Sequence, residues 1–398
     1  MKRIWPLLLI IVITLSAFTL GFTLAKLQSN QEERYQKLAS QVMAELSKLR
    51  GLNPPENFQV KVVSSAWVKE HWGKPETVEE PLEWSIYKAL LLVPMEASYG
   101  EFEEEWAGCI LAAASGETLY IVSDMVKGVK EEALRRTLAH ESTHILQYVN
   151  FKVGKAETLD GRQALSALIE GDADLSADLL LKAEGFKPPE KQAYKPERLN
   201  YREALILLKL FPYQYGEAFA AHLHEKGGWK LLNEAYTKPP STTEQVIHPE
   251  KYLKGEVFER PRLPPVGVEG KLQGEERLGE YFIYVWLARW VGYGEAWRAA
   301  EGWNGDRAAY YKADKDFLLV WATRWDSGTD AEEFSKAVGE MLSRAGGVRA
   351  DGLWRIGETY VAVEAWGEAV NLYFSSSPEA LESLASLQED NLPMDAIG

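Results

Sequence analysis

The segment LAHESTHILQ, Leu138 to Gln147, decides how this chain is read. It lies in a run from Glu131 to Tyr148 that opens on acidic residues and places apolar side chains at Leu134, Leu138, Ile145 and Val149, the spacing of an amphipathic helix. On such a helix His140 and His144 share a face one turn apart, where two imidazoles can bind one Zn²⁺. Glu141, one step round, falls beside the metal's open position as a general base. The competing reading is an ordinary histidine pair on a helix surface or in a core. The apolar stripe leaves both histidines on a coherent polar flank, which favours a ligand pair.

Composition narrows the choice of ligands. The chain has 398 residues, 46 % hydrophobic and 26 % charged, which suits one large or two ordinary folded domains. A formal net charge of −15 repels phosphate backbones, so nucleic acid is not an expected partner. The single cysteine, Cys109, excludes an internal disulfide, a four-cysteine zinc cluster and an iron–sulfur site, and reads as a small packed residue. Any metal must therefore be held by histidine and carboxylate.

A catalytic zinc site needs a third protein ligand and keeps its fourth position for water. The continuation HExxHxxGxxH is excluded, because Gln147 and Asn150 stand where glycine and the last histidine belong. A second helix, expected over Arg162 to Ala183, carries ALIEGDADL and offers Glu170, Asp172 and Asp174. Glu170 and Asp174 share a face, so Glu170 is read as the third ligand and Asp174 as its supporter, accepting an imidazole N–H. Taken alone, the series Arg162, Ser166, Glu170, Asp174 and Asp178 would read as a solvated stripe; beside the histidine pair, ligation is favoured.

His140-Glu141-x-x-His144 followed by Glu170-x-x-x-Asp174 resembles the gluzincin group of zinc metallopeptidases, whose third ligand is a glutamate on a following helix. The resemblance implies that the β-rich Gly116 to Asp124 takes the place of the edge strand that pairs with an extended substrate. ALIEGDA, GGW at Gly227 to Trp229 and STTEQVIHPEKYL at Ser241 to Leu253 are similar to a family of largely uncharacterised, membrane-anchored or secreted bacterial and archaeal proteins. That likeness extends to GWNGDR at Gly302 to Arg307 and WDSGTDAEEF at Trp325 to Phe334.

The expected chemistry is hydrolysis of an amide in a peptide or protein substrate, with one zinc ion per chain and Glu141 moving the proton from water to the leaving amine. A donor for the developing oxyanion is still required. His248, with Pro249 fixing its backbone, is one candidate; Tyr213 and Tyr215 are the others. His222 and His224 read as helix surface, and His71 has no evident partner. A rival of another class is a non-catalytic, membrane-anchored scaffold with a structural zinc clamp. A base beside the ligand pair argues against it.

The remaining sequence supplies the setting. Twenty-two uncharged residues, Ile4 to Ala25, reach roughly 33 Å as a helix, enough to cross a bilayer. Lys2 and Arg3 precede them, which places the amino terminus in the cytoplasm and the rest outside; cleavage near Thr23-Leu24-Ala25 would instead secrete the protein. The fold class expected is α+β: an anchor over residues 1–27, a stalk or packing helix over 28–56, a mainly helical zincin-like core with a small sheet over 57–259, and a smaller α+β region over 260–398. Strands are expected at 58–68 and 118–123. In the last part, strands are expected at 307–312, 317–324 and 360–374, the last turning at Gly367, with helices near 275–300, 330–344 and 378–387.

Overall fold

A computed structural model describes residues 32–72, 80–106, 111–190, 193–197, 199–265, 270–350 and 352–381. The expected membrane anchor, residues 4–25, and Cys109 lie outside the described residues. Among the described residues no helix is long and apolar enough to cross a membrane. The fold is mixed α+β, and its contacts group into two compact units, one comprising residues 1–74, 107–151 and 176–189, the other 75–106, 152–175 and 190–398.

The first unit contains a helix α1 over residues 32–50 and a three-stranded sheet of β1 (Gln59–Val63), β2 (Ala112–Ser115) and β3 (Thr118–Val122). The strand order is β1-β3-β2, with β1 parallel and β2 antiparallel to β3. Alternation along β3 turns Leu119 and Ile121 inward, where they pack with Val42 and Leu46 of α1. Leu134, Leu138 and Ile145 of α5 (Glu131–Asn150) complete that core, so α1 is a packing helix rather than a stalk. Two expectations are corrected here. The strand expected at 58–68 ends at Val63, because Ser64 accepts the backbone N–H of Trp67 at 3.1 Å and starts a helix, α2 (Ser65–Trp72). The strand expected at the sheet edge, β3, is its centre; β2, joined to it through Gly116 at φ 57°, is an edge.

The second unit carries α3 (Leu82–Ala89), α4 (Tyr99–Trp106), α7 (Tyr201–Glu234), α8 (Thr243–Ile247) and α9 (Pro249–Lys254). Helix α6 (Leu159–Ala183) gives this unit the stretch up to Leu175 and the first unit the rest. An antiparallel seven-stranded sheet follows, in the order β4-β5-β6-β10-β9-β8-β7. Its strands are β4 (Lys271–Glu276), β5 (Trp303–Ala313), β6 (Asp316–Trp325), β7 (Val348–Ala350), β8 (Leu353–Ile356), β9 (Thr359–Trp366) and β10 (Ala369–Ser375), with the β9–β10 turn at Gly367 as expected. Helix α12 (Gly328–Arg344) packs on the sheet and on α10 (Gly279–Val291), where Trp286, Trp321, Phe334 and Phe374 are fully buried. The single helix expected near 275–300 is instead the end of β4, α10 and α11 (Tyr293–Ala300), broken at Gly292 with φ 91°.

Two constraints fix α6 within this unit. Its first turn is anchored by Asp160, fully buried, whose carboxylate accepts the Thr243 N–H at 2.7 Å, the Thr243 hydroxyl at 2.6 Å and Arg277 Nε at 2.9 Å. Farther along, a Cβ at Gly171 would overlap the Gly216 carbonyl oxygen, and one at Gly216 would overlap the Ala167 carbonyl oxygen, so α6 and α7 cross backbone to backbone. Replacing Gly171 by Ala forces the helices apart and is expected to cost about 3 kcal/mol in urea unfolding. Gly339→Ala, mid-α12 with nothing within 4 Å of the added carbon, should instead gain about 0.5–1 kcal/mol.

Candidate metal centre

His140, Glu141 and His144 stand on α5 as the spacing predicts, all partly exposed, while Leu138 and Ile145 on the same helix are buried. Their Nε2 atoms, those of His140 and His144, face each other at 3.1 Å with the rings nearly perpendicular. Two nitrogens bound at 2.0–2.1 Å in a tetrahedron lie about 3.3 Å apart, so the pair has the separation that one ion requires. Glu170 joins them: one ligand-type atom from each of His140, His144 and Glu170 lies within 4.8 Å of the others.

Sequence reasoning missed what aims His144. Its Nδ1 lies 2.9 Å from the Gln147 side-chain oxygen, one turn along α5. The amide oxygen can only accept, so it holds the ring as the Nδ1–H tautomer and turns the Nε2 lone pair towards His140. The signal was present as an i, i+3 pair, but Gln147 had been weighed only as a missing glycine.

The other carboxylates of α6 divide by role. Asp172, the alternative ligand, is fully buried and accepts the Tyr236 hydroxyl at 2.7 Å. Asp174 and Asp178 are each 5 % exposed, and Asp178 takes Arg136 Nε of α5 at 2.6 Å, which overturns a solvated stripe at these positions. That ion pair ties α5 to the last part of α6 within the first unit.

His248 stands between α8 and α9. Its Nε2 lies 3.0 Å from an oxygen of Glu280, which is 3 % exposed. The hydrogen bond that the His248 ring donates to Glu280 raises the His248 pKa against the opposing effect of burial, and burial raises that of Glu280. Tyr215 stacks on Phe211 at 5.2 Å and meets Tyr281 edge-on, with burial pushing its hydroxyl up to about 12; Tyr213 is 42 % exposed. Neither tyrosine nor His248 is in the metal group. His222 lies 3.1 Å from Glu250, His224 packs on Trp229, and His71 stacks on Trp67.

A second set of carboxylates, Glu244, Glu256 and Asp326, also converges. The Lys251 ammonium sits among them at 2.6, 3.0 and 3.0 Å. Burial opposes its charge, but the hydrogen bonds to these carboxylates outweigh that and raise its pKa. This cluster is an ion-pair network built around lysine.

Residues of the GWNGDR, STTEQ and GGW segments hold the fold together. Asp306 of GWNGDR is buried and accepts the N–H groups of Leu278 and Gly279, both at 2.8 Å, and the indole N–H groups of Trp303 and Trp321. Gly305 has φ 158°, and a side chain there would overlap the Glu259 carbonyl. Thr242 of STTEQ caps α8, and Gly227–Gly228 interrupt α7 with Gly228 at φ 63°.

Comparison with known proteins adds little to this geometry. A family described as a domain of unknown function, DUF8575, matches residues 266–385, which take in β4 to β10. No curated protein matches the chain. A solved structure from Chloroflexus aurantiacus, described as "a putative hydrolase with a novel fold", is 16 % identical, the match covering 56 % of this chain and 89 % of that one. Its TM-score of 0.34 carries no argument about either fold or activity.

The His248–Glu280 pair gives a pH test. A histidine whose pKa rises on folding contributes stability that is complete below its unfolded value, about 6.5, and lost as pH climbs through the folded one. The His248 imidazole should titrate above 6.5 in an NMR titration of the native protein, and Glu280→Gln should lower that midpoint.

Proposed function

We propose that this chain is a zinc-dependent peptidase, with His140, His144 and Glu170 holding one ion and a peptide or protein as substrate. The observation that carries the reading is the meeting of two imidazole nitrogens and a carboxylate, the donor set of hydrolytic zinc sites that keep a fourth position for water. Bound there, zinc supplies Lewis acidity, acidifying water and polarising the scissile carbonyl.

The chain's own groups do the rest. Glu141, next to His140 on α5, takes the proton of the attacking water and passes it to the leaving amine. Gln147 keeps His144 in its ligating tautomer, and buried Asp174 is the proposed acceptor of an imidazole N–H. His248 is the proposed donor to the developing oxyanion; with Nε2 occupied by Glu280, donation falls to Nδ1–H. Residues 4–25 anchor the protein in a bilayer, with the catalytic region outside.

Metal analysis and cleavage of an unfolded-peptide library by the full chain test this together. One zinc per chain is expected, and Glu141→Gln should keep the metal while losing cleavage at least ~100-fold. Stoichiometric zinc without any Glu141-dependent cleavage would replace the enzyme with a scaffold clamped by zinc. Gln147→Ala, which frees the His144 ring, should weaken zinc affinity about 10–100-fold in a chelator competition. Glu170→Ala should weaken it further, and unchanged affinity there would remove Glu170 from the ligand set.

A further inference from the structure

The second unit contains a pocket of about 220 Å³ that the chemistry above does not use. Its wall is aromatic and aliphatic: Trp84 of α3 and Phe102 of α4 with ring centres 6.1 Å apart, Tyr87 beside them, and Leu205 and Leu208 of α7. Trp84 also meets Tyr99 edge-on at 5.4 Å, so the pocket offers ring edges and faces of the kind aromatic groups pack against. A dry cavity of roughly 150 Å³ takes up benzene. This one is larger by about half, a space for a ring between phenyl and indole in size.

Four charged residues also line the pocket, and they pair with one another. Arg162 pairs with Glu83, and Lys209 with Glu103 at 2.7 Å, all four side chains between 23 % and 39 % exposed. A neutral ring can enter past two closed ion pairs, whereas an added charge would have to displace one of them.

The position of the pocket gives it a meaning. Gln163 lines it and is locked by its Nε2 donating to the Leu208 carbonyl at 2.9 Å. It stands seven positions before Glu170 on α6, two helical turns, hence on the same face and about 10.5 Å away along the axis. An extended peptide covers that distance in about three residues, at roughly 3.3 Å each.

We infer that this pocket receives an aromatic side chain of an extended peptide, about three residues from the bond that is cleaved. The inference deepens the peptidase reading and rests on it for the word substrate; the pocket's affinity for a ring does not. The preference comes from burial of the ring, and the two rim ion pairs border the peptide backbone as it passes.

The test uses the full chain in detergent and two small probes, N-acetylphenylalaninamide and N-acetylglycinamide, followed by saturation-transfer NMR. The phenylalanine probe should bind saturably and the glycine probe should not. Leu208→Phe, which fills the pocket, should weaken the first at least ~10-fold. Because that variant can misfold, a second measurement stays with the wild type: peptides carrying one Phe, moved along a glycine-rich sequence. The kcat/KM should be at least ~10-fold higher with Phe about three residues from the cleaved bond than with Gly there. Equal or absent binding of the two probes overturns the pocket. Binding without the positional preference overturns its role in substrate choice. Ring binding with no Glu141-dependent cleavage leaves the pocket standing and removes the peptidase.

Discussion

The contact between Gly171 and the Gly216 carbonyl governs where Glu170 stands. Two helices that touch through their backbones have a fixed separation and little freedom to slide, because any side chain at the crossing would have to occupy the same space as a carbonyl oxygen. Glu170 precedes that contact by one residue, so its direction follows from it. Asp172, on the other side of Gly171, uses the same rigidity to meet Tyr236. The glycine costs helix propensity, roughly 1 kcal/mol against alanine, and the close packing offsets it.

Buried carboxylates do the rest of the positioning. Asp160 binds the start of α6 to Thr243 and Arg277, and the Leu159 N–H donates to Glu276 at 2.6 Å, so the first turn of α6 is held from β4 and α8 together. Asp306 gathers four N–H groups from the β4–α10 turn and two indoles, and burial still pushes its carboxyl up to about 6. Each of these anions stabilises only because its donors are already in place, so losing one donor leaves a buried charge underpaired.

The sequence revealed the parts of the site that depend on local period. His140 and His144 at i, i+4, the apolar stripe behind them, and Glu170 with Asp174 on a following helix are consequences of 3.6 residues per turn, and they appear where that period puts them. Strands β5, β6, β9 and β10 were legible for a similar reason, since alternation and the turn glycine Gly367 are local signals, whereas the short β7 and β8 were not foreseen. What could not be read was set by distant partners. The parallel pairing of β1 with β3 joins segments some sixty positions apart, and the short run Ala112–Ser115 has too little alternation to announce an edge strand. Gly171 and Gly216 carry no local signal of their role, because each is required by the backbone of the other's helix. Gln147 was visible but misjudged, because a motif comparison asks what a position lacks and not what its side chain can reach.

The lysine cluster has a consequence for metal binding at that point of the fold. Three carboxylates meeting at one point, all oxygen, form a trap suited to calcium or magnesium. Lys251 closes that trap from within: a tethered ammonium at 2.6 to 3.0 Å from each carboxylate occupies the position a dication would need, and it cannot diffuse away. The trio proposed to hold zinc includes two imidazoles, nitrogen donors that disfavour those same ions. The fold thus fills its oxygen-only cluster with a cation of its own.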